Sequence, residues 1–268
     1  MSAKTDLSII IVNYNTHQLL KQCLTSIFES ATHFDYEVIV VDNASSDGSP
    51  KMVKNEFSQV VLIENRTNQG LSRANNAGAK LGHGKYLLFL NPDTVVLKGS
   101  LEEMVHFMRS HQDAGVLGPK LLYPDGTLQL SCRRFYTLGT ILGRRTFLGK
   151  ISPIRKKVNQ HLMQEWDHST VREVDWVLGA CLMIPDDLFH RIGCFDERYR
   201  MYFEDVDLCF RIKQQGYKTY YLPQSAVIHH HQRESARGFS SKTIWHIQSA
   251  LRFYRKHGIK VGTTRRGK

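Results

Sequence analysis

The sequence predicts an α/β fold built on a mostly parallel central sheet. Three observations carry this. Strand-like and helix-like segments alternate between residues 7 and 122, the pattern of βαβ units. The first strand, Leu7 to Val12, is apolar throughout except for Ser8. The strand-like runs end in polar residues: Asn13 and Asn15, then Asp42 and Asn43, then Asn68, then Asn91 and Asp93. Turn residues are common at strand ends for structural reasons alone. Four such ends in succession on one sheet edge point instead to a ligand cleft, because open α/β sheets bind at their carboxyl edge.

Each element follows from its own spacing. After the first strand, Thr16 to Ser30 places Leu19, Leu20, Cys23, Leu24, Ile27 and Phe28 on one helical face, with Asn15 or Thr16 as N-cap. Tyr36 to Val41 is the second strand, and the helix after it carries Met52, Val53 and Phe57. Val60 to Ile63 is the third. Ser72 to Leu81 is a small-residue helix (Ala74, Ala77, Gly78, Ala79) able to lie close to a sheet. Tyr86 to Leu90 is the fourth strand, Ser100 can cap a helix from Leu101 to Arg109, and Gly115 to Leu122 is another strand. From Ser131 to about Val171 the pattern weakens, as in a partly helical insertion or lid. Order returns at Val174 to Pro185, followed by a helix from Asp186 to Ile192. Met201 to Ile212 reads as a helix with an acidic first turn, ended by Gly216. Two short strands, Tyr217 to Leu222 and Ala226 to Ile228, lead into His229-His230-His231. Ile244 to Lys256 is a basic amphipathic helix with Ile244, Trp245, Ile247, Leu251 and Phe253 available for an apolar face.

At 268 residues, 41% hydrophobic and 23% charged, the chain can bury a sizeable core as one large domain or two fused lobes. Its apolar runs are too short to span a bilayer, and its N-terminus lacks a signal-peptide pattern. The five cysteines form no C-x-x-C pair and read as buried small hydrophobes in a reducing cytoplasm. The net charge of +11 is local. Ser131 to Gln160 carries eight Lys or Arg and no acid; Ser235 to Lys268 carries nine and no acid. The remainder is net negative. Such surfaces suit an anionic membrane or an anionic substrate. Nucleic acid is not expected, because no recognition helix, RNA-binding signature or zinc finger accompanies the charge.

An acid at the strand end, Asp93, can hold a hard divalent cation that in turn holds a diphosphate. Glu204 and Asp205 stand at a helix N-terminus, where the dipole favours a carboxylate, and one acid of that turn, Asp207 included, can serve as a general base. A histidine of the His229–His231 run could complete the cation site. No G-x-G-x-x-G follows the first strand, and no Walker loop, nucleophile elbow or His-Glu-x-x-His is present.

The ordered set Leu7-Ser-Ile-Ile-Ile-Val-Asn-Tyr-Asn15, Val40-Val-Asp42-Asn43, Asn65-x-x-Asn68-x-Gly70, Leu90-Asn-Pro-Asp93 and Phe203-Glu204-Asp205-Val-Asp207 resembles the family 2 glycosyltransferases, and most closely their bacterial rhamnosyltransferase-like branch. The resemblance spans Leu7 to His231 apart from the basic insertion. It implies a GT-A fold, a Rossmann-like nucleotide-binding half fused to an acceptor-binding half. By similarity, Val12 and Tyr14 lie against the nucleotide base and Asp42 hydrogen-bonds it, with Asn15, Asn43, Asn68, Gly70 and Asn91 in the same nucleotide-sugar site. Asp93 matches the last acid of the family's Asp-x-Asp metal motif, whose first acid is here Asn91. Glu204-Asp205 matches the Glu-Asp pair, with Asp205 as the base. His229 matches the metal-binding histidine, with His231 as the alternative. Trp176, Gly179, Ala180 and Cys181 match the segment lining the sugar and acceptor pocket.

The resemblance implies an inverting, metal-dependent hexosyltransferase using Mg²⁺ or Mn²⁺. Its donor is a dTDP-, UDP- or GDP-linked sugar, with rhamnose the expectation. Its acceptor is a glycan or a lipid-diphosphate-linked one, in cell-surface polysaccharide synthesis. Residues 1–234 form the transferase domain (7–122 nucleotide-sugar half, 131–171 basic insertion, 172–234 acceptor half), and 235–268 a basic amphipathic tail. The expected location is cytoplasmic, peripheral on the inner face of the cytoplasmic membrane. Two readings from other classes stand beside it: a catalytically silent nucleotide-sugar-binding protein, raised by Asn91, and a basic nucleic-acid-binding protein, raised by the charge.

Overall fold

Strand β1 (Leu7–Asn13) pairs in parallel with β2 (Tyr36–Asp42) on one side and β4 (Tyr86–Leu90) on the other. The computed structural model describes residues 5–30, 33–137, 140, 152–230 and 241–258. Beyond β2 lies β3 (Val61–Glu64), also parallel, as an edge strand. Beyond β4 the sheet continues through β11 (Cys181–Pro185), antiparallel to β4, then β6 (Ala114–Leu122), β12 (Lys218–His229) and β5 (Thr94–Val96). β6 and β12 are parallel; β5 runs antiparallel to β12. Short pieces flank this path: β7 (Leu128–Gln129) on β6, β9 (Arg172–Val174) on β12, and a separate ribbon of β8 (Cys132–Arg133) with β10 (Trp176–Val177). The strand order reverses direction at β1, which places a crevice at the carboxyl ends of β1, β2 and β4.

The apolar run of β1 is explained by burial on both faces. Leu7, Ile9 and Ile11 join one core; Ile10 joins a second and Val12 a third, small cluster. The first core is closed by α1 (His17–Glu29), α2 (Ser49–Glu56) and α4 (Ser100–Ser110), through Leu20, Leu24, Ile27, Met52, Val53, Met104 and Met108. On the opposite face, α3 (Leu71–Ala79) lies so close to the sheet that a Cβ on Gly78 would stand 2.6 Å from Ile10 Cγ2. The small residues seen in the sequence therefore serve this approach. The remaining helices are α5 (Ser152–His161), α6 (Asp186–Arg191), α7 (Glu204–Gln214) and α8 (Ser241–His257).

The structure corrects four local expectations. Ser100 does not cap α4: Gly99 holds the N-cap position, and the Ser100 hydroxyl instead donates to Ala226 O at 2.7 Å, tying α4 to β12. The two strands expected from Tyr217 to Ile228 are one strand with a register shift between Leu222 and Ala226. The acidic helix starts at Glu204, not Met201, because Tyr202 and Phe203 both adopt left-handed backbone (φ 69° and 68°) and turn the chain before the helix can begin. Finally, the apolar residues of α8 do not share one face. Phe253 is fully buried in the second core, whereas Ile247 and Leu251 are exposed.

Candidate active site

The ends of β1 and β2 form a cross-linked polar floor. Asn13 Nδ2 donates to Asp42 Oδ2 (2.7 Å) and to Ser45 Oγ (3.0 Å), and the Ser45 N–H donates to Asp42 Oδ1 (2.8 Å). Asn43 is equally tied: Nδ2 donates to Gly70 O at 3.3 Å, and Oδ1 accepts from Asn65 Nδ2 at 2.9 Å. Asn68 Oδ1 accepts from the Gly70 N–H at 3.0 Å. Gly70 is required here: its φ is +85°, and an added Cβ would meet the Arg200 carbonyl oxygen at 3.2 Å. Next to it in sequence, Tyr14 and Asn15 are exposed, with Tyr14 half accessible at 50%. An exposed aromatic ring at the edge of a cluster of amide groups suits a flat heteroaromatic base. Val12 is packed against Ile39, Val41 and Ala74, so its side chain has little surface to offer a ligand.

At the end of β4, the Asn91 N–H donates to Ala180 O (2.9 Å), while Asn91 O accepts from Thr94 Oγ1 (2.7 Å). This turn points Asp93 towards a residue far away in sequence. β5 pairs with the end of β12 so that Thr94 faces His229, and the His230 N–H donates to Asp93 O at 2.8 Å. The result is His229 Nε2 at 3.4 Å from Asp93 Oδ1. On the other side of the ring, Gln129 Oε1 lies 2.7 Å from Nδ1. The amide oxygen accepts only if Nδ1 carries the proton, which directs the Nε2 lone pair at the carboxylate. One imidazole and one carboxylate are donors that a divalent cation shares readily with diphosphate oxygens. Among the described residues, no group of three or more His, Cys, Asp and Glu side chains converges in this way. The alternative ligand His231 lies outside the described residues.

The three acids of α7 separate by helical geometry, since residues two apart face opposite sides. Asp207 is fully buried and saturated: Arg211 Nε at 2.8 Å, Lys256 Nζ at 2.7 Å and His257 Nε2 at 2.7 Å. Burial alone would raise its pKa, but the His257 bond and the Arg211 and Lys256 cations outweigh that and hold it below the usual carboxylate range. It is a structural anchor. Asp205 looks the other way, onto the Gly179 segment. Its Oδ2 accepts from the Gly179 N–H (3.0 Å) and its Oδ1 from the Val206 N–H (2.8 Å). Burial raises the pKa of both Asp205 and Glu204, Glu204 to about 8. The pair is resolved by its partners. Asp205 has two backbone donors and the charge of Arg133, whereas Glu204 Oε2 is buried with no hydrogen-bond partner. Near neutrality Glu204 therefore carries the proton and Asp205 the charge, the divergence expected of an acid–base pair.

That assignment has a measurable consequence. Between pH 4.5 and about 8 the native chain holds a Glu204 proton that the unfolded chain has released, so stability falls as pH rises across this window. Glu204→Gln is expected to remove that component. Urea unfolding at pH 5, 7 and 9 should show a smaller alkaline loss in the variant; equal losses in both proteins would contradict the assignment.

One segment joins the two acidic centres. Gly179 is bonded to Asp205, and the adjoining Ala180 carbonyl to Asn91 of the Asp93 turn. Trp176, Ala180 and Cys181 are buried, with the Trp176 indole N–H donating to Arg134 O at 3.1 Å. The segment thus offers mainly backbone at Gly179, and Trp176 supports it from behind through stacking on Tyr136. Two contributors escape the sequence reading. Gln129 fixes the His229 ring, and Arg133, on the β8 ribbon opposite Trp176, is the cation acting on Asp205. Nothing in the local pattern of either residue marks it.

The family model described as Glycosyl transferase family 2 matches residues 8–169. The N-acetylglucosaminyl-diphospho-decaprenol L-rhamnosyltransferase of Mycobacterium tuberculosis is 31% identical over 258 residues, covering 92% of this chain and 83% of that protein. Rhamnosyltransferase WbbL of Escherichia coli K12 is 26% identical over 261 residues, covering 94% of this chain and 93% of WbbL. Among solved structures, GalNAc-T7 with UDP, GalNAc and Mn²⁺ superposes with a TM-score of 0.71 at 16% identity. That match covers 94% of this chain and 48% of the other, and is a likeness of fold.

Proposed function

Because the chain belongs to glycosyl transferase family 2, and is a glycosyltransferase of GT-A fold, we propose that it moves a deoxyhexose or hexose from a nucleoside-diphosphate donor to a hydroxyl of a lipid-diphosphate-linked glycan, with inversion. Rhamnose is the sugar favoured, since two relatives are named as rhamnosyltransferases and one of them acts on a polyprenyl-diphosphate sugar. The single observation that carries the reading is the gathering of Asp93–His229 and Asp205 on the two sides of the Gly179–Ala180 segment. We assign residues 7–122 to donor binding, 131–171 to a basic insertion, 172–234 to the acceptor side and 235–268 to a basic tail at the inner membrane face.

The chain's own residues divide the work. Tyr14 and the Asn13–Asp42–Asn43 floor hold the nucleoside, and Asn68 and Gly70 shape the turn beside it. Asp93 and His229 would hold a divalent cation, with Mn²⁺ suiting the nitrogen ligand; a neighbour of the same fold is solved with Mn²⁺. When bound, such a cation neutralises charge developing on the departing diphosphate. Asp205 accepts the proton of the acceptor hydroxyl. That oxygen forms its bond to the anomeric carbon as the bond from that carbon to the diphosphate oxygen breaks on the opposite face, which inverts the configuration. Glu204, protonated, keeps a second negative charge away from the base. Holding two substrates in one cleft supplies much of the remaining acceleration.

The test is a panel of nucleotide sugars screened for thermal stabilisation with and without Mn²⁺, followed by transfer to a diphospho-lipid-linked N-acetylglucosamine. Stabilisation by one donor, enhanced by Mn²⁺, with turnover on the lipid acceptor, is expected. Donor binding with no turnover on any acceptor would favour the silent binding protein instead.

A further inference from the structure

Helix α8 presents two unlike faces. Ser249 and Phe253 point inward, and the Ser249 hydroxyl donates to Met201 O at 3.0 Å. On the outer side, Ile247, Leu251 and Arg255 follow one another at i, i+4 and i+8, with Arg252 beside them, all exposed. Exposed aliphatic residues are ordinary when scattered. Here the distribution decides. Of the large hydrophobic side chains exposed among the described residues, Tyr14, Val61, Leu81 and Val171 lie on separate elements. Ile247 (47%) and Leu251 (55%, the highest) sit one turn apart on a single ridge. The sequence around them, Ser235 to Lys268, holds nine Lys or Arg and no acid.

We propose that the outer ridge of α8 docks the enzyme on an anionic bilayer, with Ile247 and Leu251 entering the interface and Arg252 and Arg255 on lipid phosphates. An exposed, basic ridge with a short aliphatic stripe fits an anionic lipid surface; the observed charge supplies the complementarity. The position matters for catalysis. Phe203, the residue before Glu204, meets His246 edge-to-face and Phe253 at a tilt, both on this helix (ring centroids 5.3 and 5.6 Å). Arg200, whose carbonyl borders Gly70 of the donor floor, lies 5.1 Å from the Trp245 ring. A bilayer seated on α8 is thereby held next to the turn that presents the base. This inference rests on the lipid-linked acceptor read above and names the surface that meets it.

The experiment is sedimentation of the full chain with vesicles of phosphatidylglycerol and phosphatidylcholine, against pure phosphatidylcholine, with no acceptor present. Wild type should bind the anionic vesicles and lose binding as salt rises. Ile247→Ser with Leu251→Ser should weaken it about tenfold, and Arg252→Glu with Arg255→Glu by at least about twentyfold, since each surface arginine is worth roughly fivefold. All lie on the exposed face, so melting temperature and turnover on a short water-soluble acceptor should stay at wild-type values. Unchanged vesicle binding in both double variants would overturn the proposal, as would variants that lose affinity for duplex DNA or for a second copy of the chain while keeping vesicle binding. Vesicle binding that follows the ridge in a protein transferring no sugar would leave the surface standing and remove the functional reading.

Discussion

Asp205→Asn is expected to lower the rate of sugar transfer by roughly 10²–10⁴-fold, the usual contribution of a positioned general base, while donor affinity is kept. The substitution is nearly isosteric. An asparagine oxygen can still accept the Gly179 N–H bond now made at 3.0 Å, so the fold should persist and the loss should fall on turnover. At about 1.4 kcal/mol per tenfold, the missing stabilisation of the transition state is about 3–6 kcal/mol. The pH profile adds a second reading. Burial raises the pKa of Asp205, so wild-type turnover should already decline at a pH above the ordinary carboxylate range, as the base is protonated. The variant should lack that acid limb. Initial rates from pH 5 to 9, with donor binding measured in parallel, check both; full activity in Asp205→Asn would remove the residue from this role.

Asp207→Ala is expected to produce the largest loss of stability, about 3–5 kcal/mol, because it removes a fully buried carboxylate from the partly buried side chains of Arg211 and Lys256 and leaves both cations without it. Asp207 is the common acceptor for Arg211, Lys256 and His257. Lys256 is further tied to Asp196 at 2.8 Å, so the anchor joins α7, α8 and the loop before α7. Its loss should lower the melting midpoint by roughly 10 °C in a chain of this size. The sign with pH is fixed by the depressed pKa. The carboxylate is stabilising above its unfolded value near 3.8, and that stability disappears as pH falls through the lower folded value. Thermal melts at pH 7 and pH 3 should show a smaller gap between wild type and variant at the acid end. A variant as stable as wild type at pH 7 would show that α8 is held by Phe253 and its neighbours alone.

These two acids show how far the sequence reaches. Both sit in one acidic helical turn, and pattern alone left the base open between Glu204, Asp205 and Asp207. Resemblance to a family chose Asp205; the structure supplies the physical reason, because Asp207 turns inward onto Lys256 and His257, carried more than 40 residues further along the chain. The parallel half of the sheet was legible because each buried strand is a short apolar run with a polar end. What was not legible depends on long-range pairing. The three-residue β5 has too little pattern to be recognised, yet its ladder with β12 is what brings His229 to Asp93 across 135 intervening positions. Gln129 acts only through that histidine, and Arg133 only through the ribbon with Trp176. The apolar residues of α8 were expected on one face because a helix read alone offers no way to tell which stripe the domain will cover. The domain took Phe253 and left Ile247 and Leu251 outside.

The central claim is that one side of the cleft holds a diphosphate through Asp93 and the other activates an acceptor through Asp205. Calorimetric titration of the nucleotide-sugar donor, with and without Mn²⁺, into wild type, Asp93→Asn and Asp205→Asn tests it most directly. The expected result is Mn²⁺-dependent donor binding in wild type and Asp205→Asn, and its loss in Asp93→Asn. Donor binding in Asp93→Asn as tight and as Mn²⁺-dependent as in wild type would contradict it.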